Sequence, residues 1–500
     1  MSLSNNNGFK FPEIVRTPSR FRNPVGKYRL NRTPDCIACG KCVQVCPYGI
    51  HVKRRGRVLI ENQYLCVGPD CPEPCHTVCP VGALSLKKNP DFEVLGDFRW
   101  TADLLASTWH MAEFGEVPPA GLEYKIGDSA GGFDKLRLIF KKDNAAGGPA
   151  VQNTDDEVDL GVDLNRRNDN AHKIKIALPF YGGGMSYGSV SITTMLSRIK
   201  AASMLGTFCC TGEGGYPDEL KPYDDHVITQ VATGLFGVRE ETIKRVKIVE
   251  FKYAQGAKPG LGGHLLGDKV TPGVARMREA VVGYPLFSPF PFHSVYSVED
   301  HKKHVDWIKA VNPRALVSVK VSTPTDVDMV AVGSYYAGAH IIHLDGSYGG
   351  TGAAPEIAKK NIAMPLEYAL PKVHRFLKEE GVRDKITVIA SGGVRTPHDL
   401  AKIIALGADG VCTGTADLVA LECVRCHNCE SGRGCARGIA TTDPELMTLI
   451  EFEWGTQRIV NMFLAWRKEL ARILKRLGMT SIRDLVGRTD CLAHLDYLKR

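Results

Sequence analysis

Twelve of the sixteen cysteines lie in three groups of four, spaced as ligands for metal clusters are spaced. Cys36-x2-Cys39-x2-Cys42-x3-Cys46-Pro47 has the bacterial two-cluster spacing, in which three thiolates hold one cube and the fourth reaches the next. Cys66, Cys71, Cys75 and Cys79, the last followed by Pro80, form the partner run with a longer first gap. The pattern assigns Cys36, Cys39, Cys42 and Cys79 to one 4Fe-4S cube, and Cys66, Cys71, Cys75 and Cys46 to the other. Structural zinc is the competing reading, but its ligand pairs usually stand a dozen or more residues apart. Disulfides suit a long chain without a secretory signal poorly. The chemistry implied is single-electron transfer. Cys423, Cys426, Cys429 and Cys435 make the third group: four thiolates suit a complete 4Fe-4S cube, with a 3Fe-4S form or zinc as alternatives. Cys209, Cys210 and Cys412 read as small buried hydrophobes.

A second kind of chemistry sits in glycine turns. Residues 386–397 (Ile-Thr-Val-Ile-Ala-Ser-Gly-Gly-Val-Arg-Thr-Pro) read as a strand, a turn at Gly392 and Gly393, and a helix with proline in its first turn. Such a turn leaves backbone N–H groups facing an anion, aided by the helix dipole. The next unit repeats the device at Gly414 and Thr415. Two consecutive turns of this kind point to a phosphorylated ligand. Gly184, Met185 and Ser186, in a glycine-rich run from Gly182 to Ser189, let backbone approach a flat ligand. Lys320 stands within Val317-Ser-Val-Lys-Val, where a strand should be buried on both faces, and needs an anionic partner there. It is either a strand-end lysine that snorkels to water or a charge set against N1 and O2 of a flavin, stabilising the reduced anion.

These residues need a scaffold. From residue 173 short apolar runs alternate with amphipathic helical patterns. The candidate strands are 173–180, 207–212, 247–254, 284–288, 315–321, 340–345, 386–390 and 409–413, and the helices include Val190–Leu205, Val298–Val311 and Pro397–Leu406. Eight units in about 245 residues approach the ~250 of a (β/α)8 TIM barrel. A doubly wound sheet is the alternative for any such series. The phosphate-type turns in units seven and eight favour the barrel. The expected organisation is a polar extension over 1–30, poorly ordered; a ferredoxin-like double-cluster domain over 31–90; and a linker and covering segment over 91–172, with a helix at Trp100–Phe114. The barrel spans 173–446 and C-terminal helices 447–500.

Composition agrees with a soluble enzyme: 44% hydrophobic and 24% charged residues. There is no apolar run of the ~18 residues that a membrane helix needs and no signal peptide, so the expected location is cytoplasmic. The formal charge of +8 counts cysteines as neutral; three cubes of about −2 each would bring it to roughly +2. The basic runs are short and lack interleaved aromatics, so nucleic acid is not an expected partner.

The barrel stretch resembles the flavin domain of glutamate synthase. The resemblance rests on Gly184-Met-Ser-Tyr-Gly-Ser189, Thr211-Gly-Glu-Gly-Gly215, Ala254-Gln-Gly-Ala-Lys-Pro-Gly260, Val298-Glu-Asp300, Val317-Ser-Val-Lys320, Gly349-Gly-Thr-Gly352, Ser391-Gly-Gly393 and Gly487-Arg-Thr-Asp490. With the double cysteine run in front, the chain is similar to the archaeal-type large subunit. The resemblance implies FMN, its phosphate at Gly392, Gly393, Gly414 and Thr415, with Gly184, Met185, Ser186, Gln255 and Lys320 against the cofactor. It also implies that Lys258, Gln255 and Glu213 border the substrate, with Lys258 or Glu213 as proton donor. The implied reaction is reduction of 2-iminoglutarate, formed from 2-oxoglutarate and ammonia, to glutamate. Lys252, Lys258, Lys269 and His264 would supply the cations that a dicarboxylate needs.

The chain departs from the family pattern in several places. Leu261, Phe292, Ser294, Ser347 and Tyr348 stand where polar or charged residues are usual, and no amidotransferase domain is found. A separate glutamine amidotransferase or free ammonia, and a ferredoxin or NAD(P)H-dependent reductase subunit, are therefore the expected partners. The alternatives are a methylglutamate synthase-like or other amine or keto-acid oxidoreductase, and an electron-transfer subunit with no small substrate.

Overall fold

The computed structural model describes residues 9–21, 23–118, 132–140, 158–290, 292–352, 362–430 and 434–497. Eight parallel strands close into a barrel in strict chain order. They are β1 (Phe180–Gly182), β2 (Cys209–Cys210), β3 (Val227–Ala232), β4 (Ile248–Lys252), β5 (Leu316–Ser322), β6 (Ile341–Asp345), β7 (Thr387–Ser391) and β8 (Gly410–Thr413). β3, β6 and β7 are buried along their whole length, as parallel strands covered on both faces must be. Register aligns Lys252 with Lys320 across β4 and β5, and Lys320 with His343 across β5 and β6.

Helix boundaries follow their sequence signals. Ser191 caps Ile192–Met204, Ser297 caps Val298–Val311, and Thr396 caps Pro397–Ala405, each accepting a backbone N–H three residues on. Two expected strands are corrected. Residues 284–288 lie outside the barrel: Leu286–Phe287 pairs antiparallel with His264–Leu265, a small hairpin in the long β4–β5 connection. Its place in the barrel belongs to Val227–Ala232. The first strand lies at Phe180–Gly182, and Lys175–Ile176 instead pairs with Val162–Asp163. The loop after residue 252 consequently follows the fourth strand, not the third.

The N-terminal module closes where Tyr28–Arg32 pairs with Leu84–Lys88, around the hairpin His51–Arg54/Arg57–Ile60. Each of its two small cores includes a cysteine: Tyr28, Leu30, Ile50 and Cys66 in one, Cys42, Val58 and Leu84 in the other. So little apolar area calls for a staple.

The lead-in before this module differs from expectation. From residue 9 it is a strap bound along helix Phe452–Leu477. Asn461 Nδ2 donates to Val15 O at 2.8 Å, Arg458 Nη1 to Thr17 O at 2.9 Å and Trp454 Nε1 to Pro18 O at 2.9 Å. Phe11 is buried beneath the Arg467 guanidinium. The same helix packs on the barrel, where Phe463 and Trp466 meet Phe180 at centroid distances of 4.9 and 5.9 Å. Part of the linker and covering segment expected over 91–172, namely 119–131 and 141–157, lies outside the described residues. Its described remainder is covering structure, with Phe133, Val158, Leu160 and Leu164 buried and Leu136–Leu138 paired to Leu492–His494.

Candidate active site

Apart from Lys320, the barrel residues that the sequence marks for cofactor or substrate lie at or beyond the C-terminal end of a strand, the end where such barrels place their chemistry. Gly184, Met185 and Ser186 follow β1, Glu213 follows β2, Gln255 and Lys258 follow β4, Lys320 lies within β5, Gly392 and Gly393 follow β7, and Gly414 and Thr415 follow β8. The loops after β1 and β8 are bolted together. Gly183 N donates to Thr413 O at 2.7 Å, and buried Arg198 bridges Gly183 O (2.6 Å) and Asp417 (3.0 Å). Met185 Cε approaches the position of a Cβ on Gly414 to 3.6 Å.

The double-glycine turn fits a phosphate cradle. Gly392 and Gly393 have φ of +104° and +88°, values an L side chain rarely adopts. A Cβ on Gly392 would also lie 2.6 Å from Gly346 O. Beside it the Ser347 hydroxyl is buried without a hydrogen-bond partner among the described residues, a donor left for a ligand.

Beneath the cradle runs a continuous polar chain inside the barrel. Gln230 Nε2 donates to Glu250 Oε1 at 2.7 Å, and Glu250 Oε2 receives Ser318 Oγ and His343 Nδ1, each at 3.0 Å. His343 Nε2 meets Ser391 Oγ at 2.7 Å, and that hydroxyl donates to Asp345 Oδ1 at 2.6 Å. Asp345 Oδ2 accepts from Gly256 N at 3.0 Å and pairs with Lys320 Nζ at 3.3 Å. Burial alone would strip the charge from Lys320, but Asp345 and Glu250 outweigh it and hold the ammonium well above its ordinary value. Lys320 is therefore a fixed cation, not a snorkelling one.

A second charged set borders the mouth. Lys252 Nζ pairs with Glu213 Oε2 at 3.2 Å. Burial pushes the Glu213 carboxyl up, while Lys252, Lys258 and Arg278 together bring it below its usual value. Glu213 rests in a slot over Gly263, where a Cβ would fall 1.1 Å from its Oε1. Lys258 is buried and donates to Gly262 O at 2.6 Å. Arg278, which sequence reasoning missed, donates from Nη2 to Ser186 Oγ at 2.8 Å and to Tyr187 O at 2.9 Å. Burial pulls its pKa down to about 10.

Two expected substrate cations are elsewhere. Lys269 Nζ reaches Cys429 O at 2.6 Å, tying the substrate loop to the third cysteine group. His264 stacks on Phe287, with centroids 4.5 Å apart and planes at 10°. Glu250, His343, Asp345 and Ser391 were also missed. The signal was present, since a charged residue inside Ile248-Val-Glu-Phe or Ile341-Ile-His-Leu is as anomalous as Lys320 in its own strand.

The cysteine groups gather in space. Cys46, Cys66 and Cys75 share one small core, and Cys42, Cys75 and Cys79 border the other. In the third group, burial first and then the nearby Cys429 and Cys435 sulfurs push Cys423 up to about 11. A bare Cys423 thiol would stay protonated, so any metal or cluster bound there must displace its proton. Glu422, Arg425 and His427, which flank Cys423 and Cys426, all adopt positive φ (71°, 60° and 60°), at about 1–3 kcal/mol each. Among the described residues no three such side chains converge on a single-ion site; a cube spreads its thiolates round a larger core. Cys209, Cys210 and Cys412 are buried, as expected of small hydrophobes. No described helix is long and apolar enough to cross a membrane.

The fold and site define a TIM-barrel protein with glycine turns after strands seven and eight that suit an anion, and a chain of buried polar and charged groups inside the barrel. A profile described as the conserved region in glutamate synthase matches residues 149–480. The chain belongs to the glutamate synthase family. It is 36% identical to the archaeal-type glutamate synthase (NADPH) of Thermotoga maritima over 477 residues, 91% of this chain and 92% of that one. It is equally identical to the archaeal glutamate synthase (NADPH) of Methanocaldococcus jannaschii over 488 residues, covering 93% and 94%. The glutamate synthase (NADPH) large chain of Azospirillum brasilense matches over 332 residues at 36% identity, 64% of this chain and 22% of that far longer one.

Proposed function

We propose that this chain is the flavin and iron–sulfur chain of a glutamate synthase, reducing 2-iminoglutarate to glutamate. The observation that carries the reading is the set Lys252, Lys258 and Arg278 around Glu213, at the same barrel mouth as the Gly392–Gly393 turn. Clustered cations of this kind suit a dicarboxylate. FMN would be held by Gly392, Gly393, Gly414 and Thr415 at its phosphate and by Gly184, Met185, Ser186, Gln255 and Lys320 elsewhere. When bound it supplies the electron pair for the imine, refilled singly from cubes on the three cysteine groups.

The chain's own residues do the rest. Lys320, locked to Asp345, balances negative charge gathered at the cofactor. Glu213, held ionised by its neighbours, accepts hydrogen bonds and orients the substrate nitrogen. The proton-donor role therefore falls to Lys258. A separate amidotransferase or free ammonia supplies the nitrogen, and a ferredoxin or NAD(P)H-dependent reductase supplies the electrons.

Adding 2-oxoglutarate and ammonium to the photoreduced holoprotein tests this. Prompt flavin reoxidation with glutamate formed is expected. No reoxidation with any keto acid tried would instead make the chain an electron-transfer subunit.

A further inference from the structure

Arg32, with His51 bonded behind it, is turned onto one cysteine group of the N-terminal module and not the other. Arg32, at the end of strand Tyr28–Arg32, donates from Nη1 to Cys36 Sγ at 3.1 Å and from Nη2 to Cys42 Sγ at 3.6 Å. Nη2 also lies 3.2 Å from His51 Nδ1. A guanidinium offers only donors, so Nδ1 accepts and the imidazole proton sits on Nε2. His51 is 2% exposed, and its Nε2 has no partner among the described residues. Arg32 Nε is buried in the same condition.

A buried donor with no acceptor costs about 1–3 kcal/mol. Two of them, one on the guanidinium that touches Cys36 and Cys42 and one on the imidazole bonded to it, call for an acceptor that the polypeptide does not provide, and the sulfur atoms of a bound cube are acceptors of that kind. The surroundings of Cys46, Cys66, Cys71 and Cys75 are different. Tyr28, Leu30, Ile50, Tyr48, Leu65 and Leu86 line that core, and no Arg, Lys or His among the described residues donates a hydrogen bond to those four sulfurs.

We infer that Arg32 and His51 separate the two cubes in reduction potential, so that the cube on Cys36, Cys39, Cys42 and Cys79 is the more easily reduced. Positive charge and N–H donors on cluster sulfurs stabilise the added electron, and an apolar setting does not. Arg32 and His51 are positioning residues, acting through the cube and touching no substrate. The inference rests on the reading that both groups hold 4Fe-4S cubes.

The test is an anaerobic redox titration of the holoprotein, followed by electron paramagnetic resonance and accompanied by an iron count. The unmodified protein should show two distinct midpoints in this module. Arg32→Gln should lower the upper one, cutting the reduced-to-oxidised ratio at fixed ambient potential about tenfold, about 59 mV for one electron. The lower midpoint and the iron content should stay unchanged. Arg32→Lys, which keeps charge but loses the fork, should shift less. Should Arg32→Gln fail to load iron, His51→Leu carries the test: it removes the Nε2 donor and the Nδ1 acceptor of Arg32 Nη2, keeps the guanidinium charge, and should move the upper midpoint downward. An upper midpoint that stays put in a fully loaded variant, or equal shifts of both midpoints, overturns the inference. Unmodified protein lacking eight irons in this module defeats the cube reading instead.

Discussion

Glu250 on β4 and His343 on β6 meet inside the barrel, Oε2 to Nδ1 at 3.0 Å, although β5 runs between them. The intervening strand gives way by placing Ser318 there, whose hydroxyl donates to the same oxygen. Ser391 Oγ links the far side of the same imidazole to Asp345. The Glu250 carboxylate in turn balances the buried Lys320 ammonium, each stabilising the other's charged form.

Glu250→Gln should accordingly destabilise the fold by about 3–5 kcal/mol, the cost of leaving a buried charge unpaired. Burial raises the Glu250 carboxyl, but His343, Lys320 and Gln230 more than reverse this and carry it from 4.5 down to about 2. A depressed carboxylate confers stability that is fully present above pH 4.5 and is lost as pH falls toward 2. Chemical denaturation from pH 7 to pH 3 should show a fall below pH 4.5 that is shallower in Glu250→Gln. Equal slopes would contradict the ion pair.

Lys320→Ala removes the cation that Asp345 and Glu250 share. FMN retention through gel filtration should weaken at least tenfold, in line with the ~1.5–3 kcal/mol of one charged hydrogen bond. Thermal stability should fall with it. Adding Asp345→Asn should restore part of that stability without restoring the flavin, a coupling that a double-mutant cycle measures. Full flavin occupancy with an unchanged flavin potential would remove Lys320 from the cofactor site.

Gly263→Ala forces a methyl group into the space of the Glu213 carboxylate. Displacing that carboxylate from Lys252 should lower glutamate formation about 10²-fold, the scale of an ångström-level misplacement. Far-ultraviolet circular dichroism should be unaltered. Near-normal turnover would show that Glu213 takes no part.

Anaerobically purified protein should contain about 12 iron atoms per chain and no stoichiometric zinc. Cys426→Ser should lose one iron and gain a 3Fe-4S resonance signal, because Cys426 is the exposed fourth thiol of its group. One zinc with eight irons would replace the third cube by a structural metal.

Much of this architecture was legible where short-range signals are complete. Helix Val298–Val311 coincides with its expected span because Ser297 supplies the cap and apolar spacing the rest. The turns at Gly392 and Gly414 were readable because small residues between a strand and a helix have few other uses. β3 was not readable: it follows a 3-10 stretch, Asp218–His226, and not the long helix that usually announces a parallel strand. Leu286–Phe287 misled for the converse reason, since an apolar run does not disclose whether it enters the barrel or a side hairpin. Arg278 was hidden by distance, reaching Ser186 across 92 positions. The destinations of Lys269 and His264 likewise depended on how the β4–β5 connection folds back, which local spacing does not encode.

Arg20 on the strap bonds Glu422, Leu421 O, Arg437 O and Leu449 O, closing a clasp over both ends of the third cysteine loop. If that loop holds iron, admitting or shedding it requires the clasp to let go, so assembly of the centre would be tied to docking of residues 9–21, and susceptibility to trypsin at Arg20 would gauge how much of a preparation is fully assembled.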